Sequence, residues 1–160
     1  MSSAHRPYLD KTHPAAYKAL IGVAQEAKKA CADAGVGRDL VELVNVRVSQ
    51  LNGCPMCLSI HVPAARKEGV DEVKLDILPA WRDSKEFSPL ERAALGLAEA
   101  LTSRSAVTGV IDGSGCESAQ DAAGEVFNTE QIAALEWAVI VMNSFNRLSI
   151  ASGHPVLRRS

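Results

Sequence analysis

The chain has 160 residues and a formal net charge of −2, with 47% apolar and 22% charged residues. That length can enclose a real core, and that composition excludes a disordered chain. The charge is near zero and no basic stripe is visible, so the electrostatic footprint of a nucleic-acid or anionic-membrane binder is missing. Aromatics make up only 4% while Ala, Val and Leu are plentiful, a mix that suits packed helices. We expect a single domain over residues 1–160. The first ten residues contain no apolar leader-like core, and the longest apolar run, residues 137–142, is too short to span a bilayer. A cytoplasmic protein with no membrane contact is therefore expected. In that reducing compartment Cys31, Cys54, Cys57 and Cys116 do not read as a structural disulfide framework. Cys31 and Cys116 have no partner at a suggestive spacing and read as ordinary small buried or half-buried residues.

In chain order, residues 1–13 read as an irregular lead-in. Residues 14–34 carry Tyr17, Leu20, Ile21, Ala24, Ala27 and Cys31 at helical spacing, ended by Gly35 and Gly37. Residues 39–51 are ambiguous. Val44, Val46 and Val48 alternate with Asn45 and Arg47 as in a strand, whereas Leu40, Val44, Val48 and Leu51 make a helical stripe; periodicity alone slightly favours the strand. Asn52-Gly53 marks a turn. Cys54 then opens a helix with Pro55 at its first position, and Pro63 predicts a kink by removing a donor and crowding the Ser59 carbonyl. Asp71 is placed to cap a short helix through Leu78. Ser88-Pro89-Leu90-Glu91 has the pattern of a capping box, starting a helix that reaches Thr102. Residues 103–124 read as a loop with one short helix near Ser118. Asn128, with Gln131 three residues on, caps a long helix through Ser152. Its stretch from Ile132 to Met142 is interrupted only by Glu136, which predicts burial nearly all round and an oligomer to cover the excess apolar face. Glu136, Asn143 and Arg147 form a narrow polar stripe, facing either loops and solvent or a subunit interface or pocket.

The chemistry concentrates at Cys54-Pro55-Met56-Cys57, with His61 four residues later and Glu42 twelve residues before. An unperturbed thiol is only a few per cent thiolate at neutral pH, and the thiolate is the nucleophile. A helix N-terminus beside the cysteines, an imidazole one turn past Cys57 and a carboxylate to orient it would each raise the reactive fraction. Two such thiols can cycle between sulfenic acid and disulfide with no cofactor. The same four groups could in principle hold zinc, but a second Cys or His pair at ligand spacing is missing, so no metal is assigned.

This constellation resembles the alkyl-hydroperoxidase D-like (AhpD-like) branch of the carboxymuconolactone decarboxylase superfamily. Leu51-Asn52-Gly53 before the motif, Ala64 to Gly69 after it, Ala80-Trp81-Arg82, Ser88 to Leu95 and Asn143 to Arg147 resemble the branch too, so the likeness covers residues 41–147. It implies an all-α helical bundle assembled into a homo-oligomer, a trimer or hexamer, and it implies helix for residues 39–51. It further implies a thiol peroxidase acting on hydrogen peroxide or organic hydroperoxides and reopened by a thiol reductant. Cys57 would be peroxidatic, Cys54 the resolving and more exposed cysteine, and Glu42 and His61 the proton relay. Where the best-known members carry a second histidine directly before the second cysteine, Met56 stands here and cannot relay protons. A general dithiol–disulfide oxidoreductase and a lactone decarboxylase independent of the cysteine pair are the alternative readings.

Overall fold

A computed structural model describes residues 6–103 and 114–158. Every regular element among the described residues is helical: α1 (Leu9–Thr12), α2 (Pro14–Asp33), α3 (Arg38–Asn52), α4 (Pro55–Lys67), α5 (Glu72–Ile77), a 3-10 segment (Leu78–Asp83), α6 (Pro89–Thr102), α7 (Ser114–Gly124) and α8 (Thr129–Ser152). The all-α fold expected from the resemblance is the one observed. At the centre lies α3, packed against α4, α6 and α8, while α2 lies along α8.

The position of α3 explains why its sequence looks like a strand. Val44 and Val48 enter one core cluster with Ala94, Leu97, Leu135 and Val139. Leu43 and Val46 enter a second with Leu78, Trp81, Phe87 and Leu95. A helix buried on two sides needs apolar residues on both, and their superposition mimics alternation.

The capping signals translate directly into geometry. Glu91 N–H donates to Ser88 Oγ at 3.2 Å and Ser88 N–H to Glu91 Oε2 at 2.7 Å. At the start of α8, Gln131 N–H donates to Asn128 Oδ1 at 2.9 Å and Asn128 N–H to Gln131 Oε1 at 3.0 Å. Asp71 Oδ1 caps α5 by accepting from Val73 N–H at 2.7 Å.

Several expectations need correction. The lead-in is not wholly irregular: α1 forms one turn there, too short to be helical by itself, and held because Leu9 N–H donates to Ser152 Oγ at 3.1 Å. Residues 1–5 of that lead-in lie outside the described residues. Pro63 lies inside α4, which continues to Lys67; Ala65, fully buried in the second cluster, anchors the turn beyond the proline. The short helix expected near Ser118 is present but longer, occupying Ser114–Gly124 of the expected loop, because Ala119 and Ala123 pack into the first cluster. The rest of that expected loop, residues 104–113, lies outside the described residues. Finally, the apolar stretch of α8 is not buried all round within one chain, since Trp137 is 52% and Ile140 45% exposed.

The polar stripe of α8 works mainly inside the chain. Glu136 Oε1 accepts from Gln120 Nε2 on α7 at 2.6 Å. Asn143 donates to Thr102 Oγ1 at 2.9 Å and accepts from Asn52 Nδ2 at 2.9 Å. Asn146, which the stripe omitted, is fully buried, accepting from Asn52 at 2.9 Å and donating to Ser49 Oγ at 3.1 Å. The bonds to Asn52 and Ser49 fasten α8 to the last turn of α3, directly ahead of the cysteines. Exposed Arg147 donates to Asn143 Oδ1 at 2.7 Å. With Asn143, Leu101 and Ile140 it borders a surface hollow of about 280 Å³.

A second polar knot centres on Glu99. Its Oε1 accepts from Trp81 Nε1 at 2.8 Å and Arg47 Nε at 2.9 Å, and its Oε2 from an Arg82 guanidinium N–H at 2.7 Å. Burial opposes its ionisation, but donation from Trp81, Arg82 and Arg47 outweighs burial and holds the carboxyl below its usual range. The knot ties the 3-10 segment to α3 and α6.

Candidate active site

Gly53 sets the site. It closes α3 in the left-handed region at φ 64°, and the next amide, Cys54 N–H, donates back to Ser49 O at 3.0 Å. Glycine adopts that conformation at no steric cost. The chain leaves this turn with Cys54 at the N-cap of α4 and Pro55 at its first position. Cys54 Sγ takes the role usually filled by a capping oxygen, accepting the Cys57 N–H at 3.3 Å. Capping geometry thus brings the two sulfurs together. The Cα atoms are 5.4 Å apart, within the ordinary range for a bridge, and Cys54 and Cys57 are joined as a disulfide.

One turn along α4 from Cys57, His61 meets Glu42 of α3. His61 Nδ1 and Glu42 Oε2 are 2.7 Å apart, and both side chains are largely buried. An ionised carboxylate can only accept, so a neutral ring bonded to it would hold its proton on Nδ1 and leave Nε2 as the accepting nitrogen. The four residues singled out in the sequence therefore assemble at the α3–α4 junction, as a bonded Cys pair and a bonded His–Glu pair.

They are not equally placed. A groove of about 970 Å³, lined mainly by apolar side chains, runs between α2, α4 and α8. Met56, Cys57, Ile60 and His61 form its α4 wall, Glu42 and Asn45 come from α3, and Tyr17, Ile21, Phe145 and Leu148 face them. Cys54 is not among the lining residues. Cys54 is 1% exposed and Cys57 4% exposed, so the expectation that Cys54 is the more exposed cysteine does not hold in this chain. Cys54, as the N-cap, lies at the end of α4, whereas Met56, Cys57, Ile60 and His61 supply the wall that meets the groove.

The remaining thiols are buried or half-buried. Cys31 donates to Ala134 O at 3.4 Å, borders the groove, and has its pKa raised by burial. Half-buried Cys116 lies 3.6 Å from Ala100 O. Among the described residues, no group of three or more His, Cys, Asp or Glu side chains is arranged to hold a metal ion.

Residues 14–100, which contain the whole constellation, match the profile of the carboxymuconolactone decarboxylase family. The chain belongs to that family. It is 32% identical over 133 residues to the uncharacterized protein YdfG of Bacillus subtilis (strain 168), covering 82% of this chain and 86% of that protein. Its fold is similar to that of an Agrobacterium tumefaciens protein of unknown function described as a candidate antioxidant defence protein AhpD. The TM-score is 0.81 at 26% identity, over 97% of this chain and 99% of the other. It also shares a fold with the debrominase Bmp8, with a TM-score of 0.63 at 19% identity over 75% of this chain and 61% of that one.

The sequence did not reveal the far rim of the groove. His154 Nε2 pairs with Asp10 Oδ1 at 3.1 Å and its ring stacks on Tyr8 at 5.2 Å. Leu157 N–H donates to Ser59 Oγ at 3.0 Å, drawing the tail across α4. Asp10 and His154 are separated by nearly the whole chain, so no local pattern announces their pairing.

Proposed function

We propose that this protein is a cofactor-free thiol peroxidase that reduces hydrogen peroxide or organic hydroperoxides at Cys57. One observation carries the reading: the groove-lining cysteine of a bonded pair lies one helical turn from an imidazole held by a carboxylate. In the reduced protein the Cys57 thiolate attacks the terminal peroxide oxygen. The O–O bond breaks, the departing alkoxide takes a proton through His61, and Cys57 becomes a sulfenic acid. The Cys54 thiolate then attacks that sulfur, forming the disulfide as hydroxide leaves with a proton. Glu42 stabilises the imidazolium of His61 between the two transfers. With Met56 in the place of a second histidine, this pair is the whole relay. Two equivalents of a thiol reductant, small molecule or protein, reopen the bond. The likeness to the Agrobacterium protein supports an antioxidant role. Work in the cytoplasm, where thiol reductants are abundant, and assembly into a homo-oligomer through the exposed α8 face belong to the same proposal.

Thiol-dependent peroxide consumption tests it. Wild type is expected to turn over and Cys57→Ser to lose that activity, and equal rates in the two would sink the assignment. A second reading is favoured by the family profile together with the His61–Glu42 pair facing a roomy apolar groove: proton abstraction from a lactone, with the sulfurs as bystanders. It predicts turnover of such a substrate by the Cys54→Ser/Cys57→Ser double variant.

A further inference from the structure

Cys57 lines the groove and Cys54 does not, and this has a consequence for the reductive half of the cycle. We infer that the thiol reductant attacks Cys57, not Cys54, so that both halves of the cycle pass through one sulfur and one opening. The inference rests on the dithiol reading above and fixes the direction in which the disulfide is opened.

Displacement at a disulfide requires the incoming thiolate to approach the attacked sulfur from the side opposite the leaving one. Cys57 borders the groove with Met56, Ile60 and His61, which gives an incoming thiolate a path. Cys54 has no such path: it is 1% exposed and absent from the groove wall. A partner protein or a second copy of the chain could only cover it further. Cys54 is instead built to leave. Its sulfur sits at the N-cap of the 13-residue α4 and already accepts the Cys57 N–H at 3.3 Å. A helix N-terminus favours negative charge there, and a sulfur that carries charge more readily departs faster.

The step balances as follows. A reductant thiolate bonds to Cys57 Sγ, the Cys57–Cys54 bond breaks, and Cys54 departs as a thiolate. A second reductant thiol then attacks the reductant's sulfur in the mixed disulfide. It releases Cys57 as a thiolate and leaves the reductant oxidised by two electrons. The two protons from the reductant thiols end on the protein's dithiol or in solvent, with His61 on the same groove wall as Cys57 available to carry them. A reductant for this site must extend a thiol into an apolar groove, so a slender thiol suits it better than one set flush in a protein surface.

The test needs no peroxide, so its failure is distinct from failure of the peroxidase reading. Reduced Cys54→Ser and Cys57→Ser proteins, each confirmed folded by circular dichroism, are exposed to glutathione disulfide. Mass spectrometry of peptides then locates and times the mixed disulfide, separating it from any at Cys31 or Cys116. Glutathionylation of Cys57 in Cys54→Ser is expected to be at least about tenfold faster than that of Cys54 in Cys57→Ser. Any thiolate enrichment of Cys54 at the helix terminus biases the comparison the other way, so the expected order reports access. Comparable rates, or a faster reaction at Cys54, would overturn the inference.

Discussion

Glu42 and His61, nineteen residues apart and on different helices, are joined at 2.7 Å, and His61 shares the groove face of α4 with Cys57. The bond fixes which ring nitrogen can serve a thiol. Replacing Glu42 by Gln keeps the shape but removes the charge that stabilises the imidazolium. We expect Glu42→Gln to slow peroxide-driven formation of the Cys54–Cys57 disulfide by about ten- to a hundredfold, and His61→Gln by at least as much. Stopped-flow oxidation of the reduced proteins measures this, and an unchanged rate in both variants would remove the pair from the mechanism.

Gly53→Ala places a β-carbon on a left-handed residue where nothing crowds the site. The cost is therefore backbone strain alone, about 1–2 kcal/mol. Urea unfolding is expected to show that loss with an unchanged slope. Because this turn also presents Cys54 to Cys57, the variant should form the disulfide more slowly as well.

Glu99 supplies a pH signature. Its carboxyl is held below its usual range in the folded chain despite burial, so its contribution is fully present above the unfolded carboxylate value and is lost as pH falls through the lower folded one. Glu99→Gln should cost about 2–3 kcal/mol near neutral pH, with the Arg82 contribution small because that side chain is mostly exposed. Denaturant curves of the two proteins should converge at acid pH. A constant difference across the range would contradict the assignment.

Trp137 and Ile140 predict association. A chain of 17.0 kDa with this apolar face open should sediment as a multiple of that mass, and Trp137→Glu should shift the distribution toward the single chain. A wild-type mass of one chain at micromolar concentration would refute the prediction.

Much of this architecture could be read from the sequence because its signals are local. Both capping boxes, the Gly53 turn and the Cys54 N-cap follow from residues within a few positions of one another. The same holds for the cysteine pair, whose spacing and capping geometry coincide. What the sequence obscured depends on what each helix touches. On α3, burial on two sides made Val44, Val46 and Val48 alternate like a strand until the resemblance implied helix. On α8, high apolarity predicted burial all round, although Trp137 and Ile140 remain about half exposed. The Asp10–His154 contact and the burial of Asn146 arise from long-range packing. The different access of the two sulfurs is of the same kind, for spacing alone cannot say which cysteine faces the groove.

The stack of Tyr8 on His154 brings the two ends of the described chain together beside the groove. Tyr8 and His154 both line that groove, so segments 146 residues apart share one wall of the cavity where bulky peroxides are expected to bind. Trimming either ring, as in Tyr8→Ala or His154→Ala, would therefore widen the same rim and should alter the ranking of peroxides by size.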